Sequence, residues 1–283
     1  MNTGDTPGLG GGGDWNAMLR RSSFAPGALV LDAQARADLA LYYAYCRAID
    51  DCADEYAPPL AAAHLARWKA ELALLHRGRA SSALGRGLAE LCSRRGIPAG
   101  LLDDLWQGAR SDARAEVRFR TWAAVRRYSY QVAGSVGMVC LPIFGLDLEA
   151  AGAYALALGE AFQLINILRD VKEDAARRRL YFAQEDLAAH GLEEGEFMRG
   201  TGGARSERLI HAYAWKARHA LARADAESRG LPARGLRPSR LMRALYGGLL
   251  EAMARDGFRV FERRYSLGAF RKFRLVARAL AGA

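Results

Sequence analysis

A succession of helix-type segments runs through this chain from about Ser22 onward. Alanine, leucine, arginine and glutamate dominate these segments and runs of β-branched residues are rare, a composition that favours α-helices over strands. Prolines and glycines mark the breaks between them. We therefore predict an all-α protein with helices over residues 30–55, 60–77, 79–95, 98–114, 119–140, 148–178, 204–229, 238–262 and 267–281.

The domain organisation follows from where this pattern begins. Residues 1–13 are rich in glycine and lack a hydrophobic period, which is typical of a disordered tail. The glycines between Gly8 and Gly13 fit a dinucleotide-binding pattern, but no strand precedes them, so we discount the match. Residues 14–283 contain no repeat and no long linker, and 51% of the chain is hydrophobic. We predict one domain over residues 14–283 with a single large core.

The formal net charge of +10 indicates an anionic partner: nucleic acid, anionic lipid or a polyanionic small substrate. The densest basic cluster lies between Arg259 and Arg278, where the charges alternate with aromatic and aliphatic residues. This pattern is typical of a basic amphipathic helix at a membrane surface. A solvated helix face is the alternative interpretation.

The cysteines and the hydrophobic runs bear on the cellular compartment. Neither the paired spacing of a zinc site nor the density of a disulfide framework is found among the four cysteines, Cys46, Cys52, Cys92 and Cys140. The N-terminus lacks the pattern of a signal peptide, and no stretch of about 20 uncharged apolar residues occurs. We expect a cytoplasmic protein, either soluble or peripheral at the inner face of the cell membrane.

The first candidate site lies in the segment 41–55, which is apolar enough to be buried yet carries three aspartates and an arginine. Tyr43, Arg47, Asp50 and Asp54 are spaced by four, three and four residues, so they share one face of a helix. Isolated carboxylates are costly to bury and require cations nearby. The acidic row therefore predicts a bound metal ion.

The second candidate site, in the segment 163–174, repeats this arrangement. Gln163, Asn166, Asp170 and Asp174 lie on one stripe, and large aliphatic residues occupy the other faces. A single pair of aspartates four residues apart is commonly a surface motif that forms ion pairs. Two such pairs on apolar helices favour a metal site, and their oxygen ligands favour Mg²⁺ shared with substrate phosphates.

A basic cluster, residues 177–179, follows the second aspartate pair by one helical turn. Its structural interpretation is a favourable interaction with the helix C-terminus. Its functional interpretation is stabilisation of a departing diphosphate, because guanidinium groups match phosphate oxygens. The two roles are compatible.

These segments resemble the squalene/phytoene synthase family, whose members join prenyl diphosphates head to head. The resemblance extends from Ser22 to about Arg278 and is carried by YAYCRAIDDCADE, YSYQVAGSVGMVCLPIFG, QLINILRDVKEDAARRRLY and RPSRLM…GFRVFERRYSL. It implies a class I terpenoid synthase fold in which helices surround a central hydrophobic cavity. The segment Ser111-Asp112-Ala113 departs from the acidic motif that many relatives carry before the central helix.

The resemblance also implies roles for individual residues. The implied Mg²⁺ ligands are Asp50, Asp54, Asp170 and Asp174, with Asn166 contributing to both the metal and the substrate. The implied diphosphate contacts are Ser23, Arg47, Arg179 and Arg263. The residues implied to line the reacting centre are Tyr43, Tyr128, Gln163, Tyr181 and Tyr246. Tyr128 and Tyr246 are equally compatible with ordinary core aromatics. Gly134 and Gly137 match a small-residue helix that a prenyl chain or a neighbouring helix can approach closely.

The C-terminal motifs resemble those of bacterial presqualene diphosphate synthases. We therefore predict Mg²⁺-dependent condensation of two farnesyl diphosphates to presqualene diphosphate, in squalene or hopanoid biosynthesis. Phytoene or dehydrosqualene synthesis, for carotenoids, is the alternative. The expected partners are prenyl diphosphates, a membrane surface at the C-terminal basic helix and downstream pathway enzymes, and no nucleic acid is expected. A basic helical module that binds a membrane or nucleic acid is the alternative from a different class.

Overall fold

The computed structural model describes residues 5–10 and 13–281, and helices form most of it. A short π-helical segment, Tyr130–Gly134, joins α7 to α8. The elements in chain order are α1 (Trp15–Arg20), α2 (Ala25–Ala28), α3 (Ala33–Asp54), α4 (Pro58–His76), α5 (Ala83–Arg95), α6 (Gly100–Asp112), β1 (Val117–Phe119), α7 (Trp122–Ser129), α8 (Ser135–Ile143), α9 (Leu148–Ala176), β2 (Arg179–Ala183), α10 (Gln184–Ala189), α11 (Glu194–Met198), α12 (Ala204–Glu227), α13 (Ala233–Arg255) and α14 (Ala269–Ala281).

Aspartate caps define the start of the two helices that carry the acidic stripes. Asp32 accepts a hydrogen bond from the Ala35 amide at 2.8 Å before α3, and Asp147 does the same for Ala150 before α9. Each cap satisfies an amide that the first turn of a helix leaves without a partner. The all-α prediction is confirmed, with helix ends displaced by a few residues.

A two-stranded parallel sheet is the main departure from the predicted elements. Val117 pairs with Arg179 and Arg118 pairs with Leu180. The predicted helix 119–140 therefore begins only at Trp122, and the predicted helix 148–178 ends at Ala176. Each strand is too short to show a period of its own, and the pairing joins segments about 60 residues apart, so local pattern does not reveal it.

The core consists of two apolar clusters. The first contains α3 to α6 and includes Tyr45 and Trp68. The second surrounds α9 and includes Leu168 and Tyr213. Helix α8 contributes side chains to both clusters, and the main cavity lies between them. This division places α3 and α9 on opposite walls of the cavity.

Helix α9 is the central helix of this arrangement, packing against α8, α12, α13 and the π-helical segment. Among the described residues it is the one helix long and apolar enough to cross a membrane, by length and composition. In the structure 67% of that apolar window is buried, as is typical of the core helix of a soluble protein.

Part of the predicted tail contacts the helices. The Thr6 hydroxyl lies 3.0 Å from His64 Nδ1, and Trp68 Nε1 donates to the Pro7 carbonyl at 2.8 Å. Gly8 has φ +78°, and an added Cβ there would lie 2.6 Å from Ala48 Cβ. Residues 5–10 thus contact the helices where disorder was predicted. Leu9 packs against the first apolar cluster, and the hydrogen bonds use backbone and hydroxyl groups that a hydrophobic pattern does not register. Residues 1–4, 11 and 12 lie outside the described residues.

Candidate active site

A cavity of about 570 Å³ lies between α3 and α9 and is also lined by α6, α8 and α13. Along α9 its wall changes from Ala155 and Leu158, through Gln163, to Asp170 and Asp174. The cavity therefore has an apolar end and an acidic end. The predicted site residues that line it are Ser23, Tyr43, Arg47, Asp50, Asp54, Tyr128, Gln163, Asn166, Asp170, Asp174, Arg179, Tyr181 and Tyr246.

The basic cluster after α9 links the two acidic helices. Arg179 Nη1 lies 2.6 Å from Asp54 Oδ1, and Arg177 Nη1 lies 3.4 Å from the same oxygen. Strand β2 begins at Arg179, so its pairing with β1 holds this guanidinium at the acidic end. Of the predicted cluster, Arg178 instead points to Glu116 at 3.6 Å and is 73% exposed.

Two of the aspartates have strongly perturbed acidities. Burial, reinforced by the charges of Asp54 and Asp112, raises the pKa of Asp50 to about 7. Burial and the neighbouring Asp170 raise the pKa of Asp174 to about 8. Carboxyl groups resist ionisation when several share a site with little water and too little positive charge. The acidic end of the cavity therefore favours added positive charge.

The residues at this end fit a hard divalent cation. Asp50 and Asp54 face Asp170 and Asp174 across the cavity, and all of them offer oxygen ligands. Asn166 Oδ1 is buried and has no hydrogen-bond partner among the described residues. Within the same residues, no group of three or more acidic, histidine or cysteine side chains is already assembled for a metal. The chemistry of the ligands, rather than a preformed cage, matches Mg²⁺ shared with substrate phosphates.

Arg263, a predicted diphosphate contact, is not among the residues that line the cavity. Its guanidinium pairs with Asp256 and lies 5.1 Å from the centre of the Tyr265 ring. The next residue, Arg264, lines the cavity, with Nε 2.8 Å from Asp170 Oδ1. The segment between α13 and α14 is irregular, so helical spacing cannot tell which arginine faces inward.

Arg47 lines the cavity but is held by acidic neighbours on its own helix and beyond. Its Nη2 lies 2.5 Å from Asp51 Oδ1 and 3.4 Å from Glu55 Oε1. Asp51 itself is not part of the cavity wall. The third aspartate of the first segment therefore positions Arg47 instead of facing the second acidic stripe.

Asp112 is a site residue that the sequence did not reveal. It accepts hydrogen bonds from the hydroxyls of Tyr128, at 2.8 Å, and Tyr181, at 2.6 Å. Arg179 Nη2 donates to its backbone carbonyl at 2.9 Å. Burial raises the pKa of Asp112 to about 6, although both tyrosine hydroxyls oppose the shift. One signal in the sequence was available. A carboxylate at the C-terminus of a helix is electrostatically unfavourable, so it indicates that another interaction offsets the cost.

Three of the cavity tyrosines, Tyr128, Tyr181 and Tyr246, belong to two aromatic groups. Tyr128 and Tyr181 are stacked with ring centres 5.2 Å apart, and Phe119 lies 5.1 Å from Tyr128. Tyr246 stacks on Phe162 at 4.1 Å. Both groups line the space between the two core clusters, so Tyr128 and Tyr246 are wall residues of the cavity and not only core aromatics.

Glycines in the π-helical segment, α8 and α9 allow these helices to pack closely. A Cβ added at Gly159 would lie 2.7 Å from the Gly134 nitrogen, and one added at Gly137 would lie 3.2 Å from the Ala155 carbonyl oxygen. The π-helical segment thus contacts α9 backbone to backbone. Such segments are frequent at functional sites, and here the contact forms the wall beside Gln163.

The raised acidities predict that the metal-free protein becomes less stable as pH increases. Unfolded aspartates have a pKa near 3.9, so between about pH 4 and 8 the folded protein holds more protons than the unfolded chain. We expect the melting temperature to fall by several degrees between about pH 5.5 and 8.5. Asp38 and Asp103 have lowered pKa values and therefore titrate below this window.

Differential scanning fluorimetry after chelation measures this effect. The double variant Asp50→Asn, Asp174→Asn should show a flatter profile over the same range, and added Mg²⁺ should stabilise the wild type more at the alkaline end. A wild-type melting temperature that rises or stays constant across the range would contradict the prediction.

Comparisons with known proteins show the family to which this chain belongs. The family model described as squalene/phytoene synthase matches residues 19–271. The chain is 35% identical to a phytoene synthase of Thermus thermophilus, over 95% of this chain and 93% of that protein. It is 30% identical to phytoene synthase 1 of Arabidopsis thaliana over 92% of the chain, which spans 63% of that longer relative.

Solved structures share the architecture. A dehydrosqualene synthase in complex with ligand superposes with a TM-score of 0.84, at 22% identity, covering 95% of this chain and 94% of that one. Squalene synthase HpnC from Alicyclobacillus acidocaldarius superposes with a TM-score of 0.78 at 25% identity, covering 89% of this chain and 94% of that one. The fold is that of the terpenoid synthases. With the family match extending over nearly the whole chain, this protein belongs to the squalene/phytoene synthase family and is a prenyltransferase.

Proposed function

We propose that this protein condenses two farnesyl diphosphates head to head and releases presqualene diphosphate, a precursor for squalene and hopanoids. One observation supports the proposed condensation reaction: two aspartate pairs and Arg179 converge at one end of a single cavity whose other end is apolar. The release of the cyclopropyl product rests on the C-terminal motifs, which resemble those of presqualene diphosphate synthases.

The reaction begins with departure of diphosphate from the donor, whose C1–O bond breaks and leaves an allylic cation. The double bond of the acceptor attacks this cation, and loss of one proton closes a cyclopropane ring. Arg177 and Arg179 lie where they can stabilise the charge that develops on the departing diphosphate. Mg²⁺, held by Asp50, Asp54, Asp170, Asp174 and Asn166, would supply further positive charge to the diphosphates.

The remaining wall residues protect and orient the reacting carbons. Leu158, Val136 and Leu141 line the apolar end, which accommodates prenyl chains and keeps water from the cation. Asp112 holds the hydroxyls of Tyr128 and Tyr181, so both rings keep a defined position beside the acidic end. A defined position matters because catalysis depends on the orientation of the two substrates.

Phytoene synthesis from two geranylgeranyl diphosphates is the second candidate. The specific observation in its favour is the 35% identity to the phytoene synthase of Thermus thermophilus over nearly the full length of both chains. The first half of that reaction forms the same kind of cyclopropyl diphosphate. The two candidates therefore differ in substrate length and in whether the intermediate is released.

Product analysis distinguishes them. The purified protein is incubated with Mg²⁺ and either farnesyl or geranylgeranyl diphosphate, without a nicotinamide cofactor, and the products are identified by mass spectrometry before and after phosphatase treatment. We expect presqualene diphosphate from the shorter substrate. Phytoene from the longer substrate as the main product would overturn the release proposal and leave the condensation intact. The variant Asp174→Asn provides the inactive control.

A further inference from the structure

The C-terminal helix α14 carries an apolar stripe that nothing in the described structure covers. The side chains of Phe270, Phe273 and Leu280 are 79%, 72% and 45% exposed. They lie at positions i, i+3 and i+10, which on a helix of 3.6 residues per turn share one face together with Ala277. Two exposed phenylalanines on adjacent turns are unusual for a face that meets only water.

The charge of the same helix is entirely positive. Arg271, Lys272, Arg274 and Arg278 are its only charged residues. Within residues 5–10 and 13–281, none of these four side chains forms an ion pair or a hydrogen bond. Arg274 and Arg278 adjoin the apolar stripe, whereas Lys272 lies further round the helix. Arg274 and Arg278 are therefore free to meet anionic groups at the border of the stripe.

The opposite face of α14 is fixed to the protein. Leu275 packs on α13, where a Cβ added at Gly248 would lie 2.5 Å from Leu275 Cδ1. Met242 and Tyr246 of the same helix α13 line the cavity. Ala269 follows the cavity residue Arg264 by five residues, a span of no more than about 18 Å. A surface bound to α14 thus lies close to the cavity.

We propose that α14 docks this protein onto an anionic lipid bilayer, with its phenylalanine stripe in the headgroup and acyl boundary and its cations on lipid phosphates. Charge complementarity identifies the occupant: a helix with four cations and no acidic residue, bearing exposed aromatic residues, matches an anionic membrane surface. A second copy of the same helix would place like charges together. Nucleic acid would engage the cations and leave the phenylalanines in water.

Vesicle flotation with the full-length protein tests the proposal. The vesicles contain phosphatidylcholine with or without phosphatidylglycerol. We expect binding only to the anionic vesicles, weakened by salt. Removing two cations, as Arg274→Gln with Arg278→Gln, should lower partitioning about 30-fold, since each basic residue contributes a factor of about 5. The variant Phe270→Ser, Phe273→Ser should reduce binding to the level on phosphatidylcholine alone.

The control variant Arg208→Gln, Arg218→Gln removes the same charge from exposed positions of α12 and should bind like wild type. Melting temperatures of all variants should agree, because the substituted side chains are exposed. Equal binding by the α14 and α12 variants would overturn the proposal. The proposal would also be overturned if the wild type formed a dimer without vesicles and Phe270→Ser, Phe273→Ser converted it to a monomer. A duplex oligonucleotide that competes with the anionic vesicles for the α14 cations would overturn it as well. None of these readouts depends on the product of the reaction.

Discussion

Replacing Asp174 with asparagine should lower turnover by at least about 100-fold, the effect typical of losing one electrostatic element of an active site. The substitution removes an anionic oxygen from the acidic end of the cavity, where Asp174 faces Asp50 and Asp54. The stability of the metal-free protein should not fall with this substitution. Because burial and Asp170 raise the pKa of Asp174 to about 8, its ionisation destabilises the metal-free fold, and the asparagine variant should melt at the same or a higher temperature near pH 8.5.

Steady-state release of diphosphate from farnesyl diphosphate measures the first effect, and scanning fluorimetry without metal measures the second. Glu149→Gln is the matched control, because it makes the same chemical change at an exposed position in the first turn of α9. It should retain wild-type turnover. Turnover of Asp174→Asn within tenfold of wild type would show that this carboxylate has no essential role at the site.

Replacing Arg179 with glutamine should impair both catalysis and folding. Its side chain is only 12% exposed and joins β2 to α3 and α6. It contacts Asp54 at 2.6 Å, the Ala53 carbonyl at 3.3 Å and the Asp112 carbonyl at 2.9 Å. Its loss removes a positive charge that favours ionisation of the buried carboxyls of Asp112 and Asp174, and leaving buried charges less compensated is costly for a fold. We expect a clear drop in melting temperature and a fall in turnover of about 100- to 1,000-fold.

Arg178→Gln is the control for this variant. It removes the same charge one residue earlier, from a side chain that is 73% exposed and, among the described residues, forms an ion pair with Glu116 at 3.6 Å. The conservative change Arg179→Lys should restore more stability than turnover, because an ammonium group keeps the charge but not the planar pattern of donors. If Arg178→Gln and Arg179→Gln behaved alike, net charge rather than the position of Arg179 would explain the effect.

The contrast between Arg263 and Arg264 shows where helical spacing stops being informative. Both arginines lie in the same motif, and only the irregular path of the chain after α13 decides that Arg264 faces Asp170 while Arg263 pairs with Asp256. Asp112 was missed as a site residue for a related reason. Its partners, Tyr128 and Tyr181, are 16 and 69 residues away in sequence, and no local spacing connects a carboxylate to hydroxyls at such separations.

The acidic stripes were predictable because their geometry is local. Asp50 with Asp54, and Asp170 with Asp174, are neighbours on a helix whatever the rest of the protein does, so two oxygen-rich rows on apolar helices and an all-α fold could be predicted from local pattern. Three features could not be predicted in this way: the two rows line one cavity, β1 pairs with β2, and Arg179 links the two helices. These features depend on packing between segments far apart in the chain, where no periodicity in the sequence specifies which side chains meet.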